Sequence, residues 1–359
     1  MPCRITLRGR FVPLLLVTAL CLMPSLACAP AGPSSTTAPA SAARSASAAP
    51  SAPVAAAPVS VAVPAPPGFK TDAEVQAAIF GGKVKLVDRN PPLGDSVELM
   101  SDLDCGKGGE HPLRADIYMP RNMKKPVPAL IFIHGGGWKS GGKTDYGVYL
   151  VSYAKKGYVT VGISYRFSNE APFPAALEDV KCAVRWLRAN AATYHVNPDQ
   201  IGVIGGSAGG YLVLMLGYTS DVTEFEGGGG NAGVSSKVQA VVDFYGPADL
   251  TTPFAQQAGV VKDFLKKPYD EAKELWAKAS PITYVKPGLP PTLVLHGSID
   301  TTVPIEQSED LVARLKETGN IVEYDRVEGW PHTMDLAQDV NNHAQYMMDQ
   351  FLAKHLPIK

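Results

Sequence analysis

The stretch "IGVIGGSAGG", residues 201–210, isolates Ser207 among glycines, directly after one apolar run and directly before another. Its core fits G-x-S-x-G, the pattern of a nucleophilic serine on a strand-to-helix turn. Such a turn imposes strained dihedrals and crowds its neighbours, so residues with little or no side chain must flank the serine. It also lifts the hydroxyl to a helix N-terminus, where free amides favour developing negative charge. Glycine-rich serine turns also bind phosphate or merely end strands, so the partners decide. "HGGGW", residues 134–138, supplies a glycine run whose amides can approach a carbonyl oxygen. Gly136 and Gly137, ahead of Gly135, are expected to form an oxyanion hole with the amide of Ala208. A serine hydroxyl needs a base, and the base an orienting carboxylate. "LVLHGSIDTTVP" places Asp300 just past the seventh β-rich run and "VEGWPHTM" places His332 just past the eighth, so nucleophile, acid and base follow in the order Ser207, Asp300, His332. Asp249, in "GPADL", is a rival acid. His134 is expected to orient the glycine loop and His296 to hold the Asp300 loop, with His111, His195, His343 and His355 at the surface or in the core.

These residues need a scaffold that brings distant strand ends together. Short β-rich runs occur near residues 97, 114, 129, 158, 201, 239, 291 and 321, eight in all. Several are continuously apolar, as parallel strands covered on both faces are. Helical spacing lies between them, most clearly over 174–191, where Leu177, Val180, Val184 and Leu187 recur every three or four residues, and over 305–320. The alternation predicts a doubly wound α/β sheet with ligands beyond the carboxyl ends of its strands. Residues 226–231 and 252–290 interrupt it and are expected to be surface loops with a small helical excursion.

The unusual composition is N-terminal. Three arginines within residues 1–10 precede fourteen uncharged residues, 11–24, which reads as a secretory signal. Cys28 follows Ala27 as in a bacterial lipoprotein signal, although Ser25 stands where that signal usually has leucine, so lipid-anchored and freely secreted forms both remain open. Residues 29–67 contain one charge and no aromatic residue and are expected to form an extended Ala/Pro/Ser-rich linker. Residues 68–359 then form the catalytic domain. Taking the four arginines of residues 1–67 from the 33 basic residues leaves 29 against 34 acidic ones, a net charge of minus five, with no basic tract for nucleic acid. Cys105 and Cys182 could pair after export, although a buried free thiol suits the helical setting of Cys182. No metal-binding motif occurs, and the triad chemistry requires no cofactor.

Together, "IFIHGGGW", "ISYRFSNEAPFPAALEDVKCAVRWLRANA", "IGVIGGSAGG", "SPITYV", "HGSIDTTVP" and "EGWPHTM" resemble the α/β-hydrolase serine esterases, specifically the hormone-sensitive-lipase-like carboxylesterases and the related bacterial feruloyl and acetyl-xylan esterase group. The resemblance runs from about residue 95 to the C-terminus. It implies an α/β-hydrolase fold with a mostly parallel eight-stranded sheet and helices on both faces. It also implies an acyl-enzyme on Ser207, and a scaffolding role for Tyr165 and Arg166 with Asp179. Hormone-sensitive-lipase-like members commonly carry an extended N-terminal helical cap, which this sequence lacks, so little or no cap and an open site are expected. Trp138 and Trp330 could flank the cleft and bind an aromatic acid or a sugar ring, or could simply pack. The expected substrate is a small-molecule or polysaccharide-linked ester. A serine exopeptidase of the dipeptidyl-peptidase type and a non-catalytic binding protein on the same scaffold are the rival readings.

Overall fold

The computed structural model describes residues 62–359. The export signal, Cys28 and the linker up to residue 61 lie outside the described residues. The strands are β1 (Val97–Gly108), β2 (His111–Pro120), β3 (Val127–Ile133), β4 (Val159–Ile163), β5 (Val196–Gly206), β6 (Ala240–Phe244), β7 (Thr292–Gly297) and β8 (Val322–Val327). They form one open sheet in the order β1-β2-β4-β3-β5-β6-β7-β8. β2 pairs antiparallel with both β1 and β4, and every other pairing is parallel. This is the mostly parallel eight-stranded α/β sheet that the sequence pattern implies.

The helices are α1 (Asp72–Phe80), α2 (Gly147–Lys155), α3 (Ala175–Ala189), α4 (Ala208–Tyr218), α5 (Pro253–Gln257), α6 (Gly259–Leu265), α7 (Lys273–Lys278), α8 (Glu306–Glu317) and α9 (Gln338–His355). β3, β4, β6 and β7 are buried at every position because helices cover both faces. Their side chains still alternate. Ile131, Val161, Val203 and Val241 join the core under α3 and α4, whereas Leu130, Phe132, Val242 and Leu293 join the core under α2 and α9. The excursion over 252–290 carries α5, α6 and α7, as expected.

Two features depart from the sequence reading, the length of the first strand and the placement of the segment before it, and a third agrees with its free-thiol alternative. The first strand continues eight residues past Met100 and turns back through Gly109 and Glu110 into β2. Its exposed outer edge explains the polar, glycine-rich sequence that concealed it. Cys105 and Cys182 are buried free thiols, the Cys182 thiol donating to the carbonyl of Cys105. The segment before the first strand is also folded onto the domain: α1 buries Val75, Leu86 bridges Ala337, Val87 N donates to Leu336 O, and Gln338 N donates to Lys85 O. Even Val63 and Pro66 take part, their carbonyls accepting from His343 and Trp330.

Candidate active site

Ser207 occupies the single residue between β5 and α4 with φ +57° and ψ −123°. This is a rarely populated conformation for a residue with a side chain, held here by the hydrogen bond that Ser207 N donates to Phe244 O at 2.9 Å. The flanking glycines are required by space. A β-carbon on Gly205 would lie 2.4 Å from Gly209 O, and one on Gly209 would lie 2.1 Å from Ile133 O. The turn can therefore pack between β3 and α4 only without those side chains.

His332 Nε2 lies 2.9 Å from Ser207 Oγ, and His332 Nδ1 lies 2.6 Å from Asp300 Oδ2. A carboxylate only accepts, so Nδ1 carries the proton and Nε2 is left to accept from the serine hydroxyl. Asp300 Oδ1 accepts from the amides of Thr302 and Val303, both at 2.8 Å. His296 completes the cage: its Nε2 donates to Val303 O at 2.9 Å and to Asp300 Oδ2 at 3.2 Å, while Nδ1 accepts from Ser308 Oγ. Burial would push the Asp300 carboxyl up, but hydrogen bonds from His296 and His332 outweigh it and hold the group at about 2. Asp249, the rival acid, spends Oδ1 on the amide and hydroxyl of Thr251, a local turn that leaves His332 to Asp300.

The glycine loop follows β3. Gly136 (φ +98°) and Gly137 (φ +59°) turn it beneath Ser207, and a β-carbon on Gly135 would come within 3.3 Å of the serine's own. The amides of Gly136, Gly137 and Ala208 donate to no other group among the described residues. His134 Nδ1 donates to Gly135 O at 2.9 Å, and Tyr165 stacks on the His134 ring while its hydroxyl reaches His134 O at 3.0 Å. Burial lowers the His134 imidazole below its usual value, so the ring is neutral and structural. Arg166 forms a fork on Asp179 away from the serine, which agrees with a scaffolding part.

Ser207, His332, the glycine loop and Ala208 line a cavity of about 540 Å³. Trp138 lines it too, but one face of its ring is already stacked on Phe264 at 4.4 Å. Trp330 does not line it. Its ring packs edge-on against Phe69 and its Nε1 donates to Pro66 O, so the expected cleft residue is a packing residue for the N-terminal segment. Sequence reasoning missed Tyr245, whose ring lies 4.6 Å from that of His332, together with Tyr146, Tyr149 and Asp335, which also line the cavity. The signal was positional: Tyr245 directly follows β6 and Asp335 is three residues past His332. Val87 and Arg89 add a wall from the N-terminal segment.

The BD-FAE family model matches residues 115–315, more than half of the chain. The probable carboxylic ester hydrolase LipM of Mycobacterium tuberculosis is 33% identical over 64% of this chain and 54% of its own length. The chain spans roughly half to two thirds of the length of such curated relatives. Among solved structures, a truncated carbohydrate esterase from gut microbiota superposes with TM-score 0.61 at 28% identity, covering 73% of this chain and 99% of that one. Esterase 2 of Thermogutta terrifontis, without ligand, gives 0.64 at 26% identity over 75% and 98%, and that enzyme has also been solved with butyrate bound. The chain belongs to the BD-FAE family and has the α/β-hydrolase fold of these esterases.

Proposed function

We propose that the protein is a serine carboxylic-ester hydrolase that acts through an acyl-enzyme on small acyl esters, with acetyl or feruloyl groups of plant polysaccharides as the natural class. The observation that carries this reading is the relay from Asp300 through His332 to Ser207 at 2.6 and 2.9 Å, beside unpartnered loop amides. Ser207 Oγ attacks the ester carbonyl carbon as His332 Nε2 takes its proton, and Gly136, Gly137 and Ala208 donate to the oxyanion. Collapse of the tetrahedral adduct breaks the bond to the alcohol, which leaves with the proton from His332. Water then loses a proton to His332, attacks the acyl carbon and releases the acid, returning the proton to Ser207. Asp300 stays ionised throughout, orienting the ring and stabilising the imidazolium. Support for short acyl groups comes from the modest cavity and from the butyrate complex of the Thermogutta esterase. Export rests on residues 1–28, and anchoring through Cys28 would hold the enzyme at the cell envelope; radiolabelled palmitate on wild type but not on Cys28→Ser tests it.

The test is hydrolysis of p-nitrophenyl acetate, butyrate and octanoate and of methyl ferulate by the wild type and by Ser207→Ala. Turnover of the shorter esters by the wild type alone is expected. Folded wild-type protein that is silent on all four but cleaves an aminoacyl-nitroanilide would replace this reading with a peptidase.

A further inference from the structure

The wall of the cavity beneath Gly206 and Ser207 is polar in a way that the triad does not use. Asp335 lines the cavity yet is only 4% exposed. Its Oδ1 accepts from the Tyr245 hydroxyl, whereas among the described residues Oδ2 has a single donor, the Tyr149 hydroxyl at 3.5 Å, the limit of a hydrogen bond. A carboxylate has about four acceptor sites, so Oδ2 keeps spare capacity in a place where leaving it unused is costly. The arginine that lines the cavity, Arg89, is already committed to Asp145 at 2.7 Å. Tyr146 stands beside this group. A β-carbon on Gly206 would lie 2.4 Å from the Tyr146 hydroxyl oxygen and 3.1 Å from that of Tyr245, and the Tyr146 hydroxyl makes no hydrogen bond among the described residues. A buried acceptor and a free hydroxyl that both accepts and donates therefore stand together, next to the nucleophile.

We propose that Asp335 and Tyr146 form a recognition site for a substrate hydroxyl, which donates to Asp335 Oδ2 and accepts from Tyr146, so that hydroxyl-bearing esters are preferred over their hydroxyl-free counterparts. The proposal rests on the reading of Ser207 as nucleophile. A hydroxyl fits better than a carboxylate, which Asp335 repels, or a methyl group, which leaves Oδ2 with only its long Tyr149 contact. The hydroxyl belongs to either the acyl or the alcohol part, and two ester pairs separate these sources: methyl propionate against methyl lactate, and ethyl butyrate against the monobutyrate of ethylene glycol.

Wild type, Asp335→Asn and Tyr146→Phe are compared by kcat/KM on all four esters. The wild type is expected to favour the hydroxylated member of one pair by about tenfold, as a hydrogen bond to a charged group allows. Both variants are expected to bring that ratio towards one. Equal treatment of both members in both pairs by the wild type overturns the proposal. So does an equal loss on both members in the variants, which would make Asp335 merely a support for Tyr245 and the His332 ring. Failure of the esterase reading looks different: the wild type then hydrolyses none of the four.

Discussion

At Asp300 a buried carboxylate is kept ionised by two amides and two imidazoles, and this arrangement has a measurable pH signature. Its carboxyl is held at about 2, below the ordinary value of 3.8, so its contribution to stability is fully present above pH 4 and is lost as pH falls through 2. Urea unfolding should therefore show a gap between wild type and Asp300→Asn on the order of 2 kcal/mol at pH 6 that narrows below pH 4. A gap independent of pH would mean that the carboxylate is not specially stabilised. The same substitution should lower kcat by roughly 10⁴, the scale seen when a triad loses the carboxylate that fixes its histidine tautomer. Stopped assays at neutral pH would check this, and a loss under tenfold would assign the orienting role elsewhere. Ser207, Asp300 and His332 were legible because each has a signature: glycines that make room, or a catalytic residue type just past a predicted strand. Tyr245 shares the place just past a strand and Asp335 stands close after His332, but neither adds a second mark, and the partners of Trp330 are residues more than 260 positions earlier in the chain, a contact that local sequence does not reveal.

The β5-turn-α4 unit sets the serine by exclusion of side chains rather than by attraction. Gly209→Ala would put a methyl group 2.1 Å from the Ile133 carbonyl, with rigid backbone on both sides. It should destabilise the fold by about 3 kcal/mol and misplace Ser207, lowering activity further than stability alone would. Chemical denaturation together with kcat at a temperature where the variant is folded would check it; a change under 0.5 kcal/mol would show that the turn relaxes freely. The buried strands were readable as elements because burial on both faces demands continuous apolar sequence, as in "ALIFI" of β3. Edge strand β1 was readable only for its first few residues, since exposure frees the rest to be polar. The helices α1 and α2 were not singled out, because neighbours distant in sequence, rather than an apolar stripe of their own, decide which of their residues are buried.

Across the whole molecule, the segment before β1 acts as a strap. It crosses from Val63 to Arg89, pairs with the residues that follow His332, covers Trp330 and completes the cavity wall. A chain beginning at residue 90 should lose at least 3 kcal/mol of stability relative to one beginning at residue 62, since it forfeits three backbone hydrogen bonds to the rest of the domain and the burial of Phe69 and Val75. Its kcat/KM should fall by roughly tenfold or more as the 333–338 segment loosens. Equal melting temperatures and kinetics would reduce the strap to packaging. The central claim, that the strand ends converge to make Ser207 a nucleophile, is tested most directly by reaction with paraoxon followed by intact-mass measurement and peptide mapping. The expected result is one diethylphosphoryl group per chain, on the peptide containing Ser207, with ester hydrolysis lost in proportion and no label on Ser207→Ala. Labelling at another residue, or hydrolysis that survives in Ser207→Ala, would contradict the account.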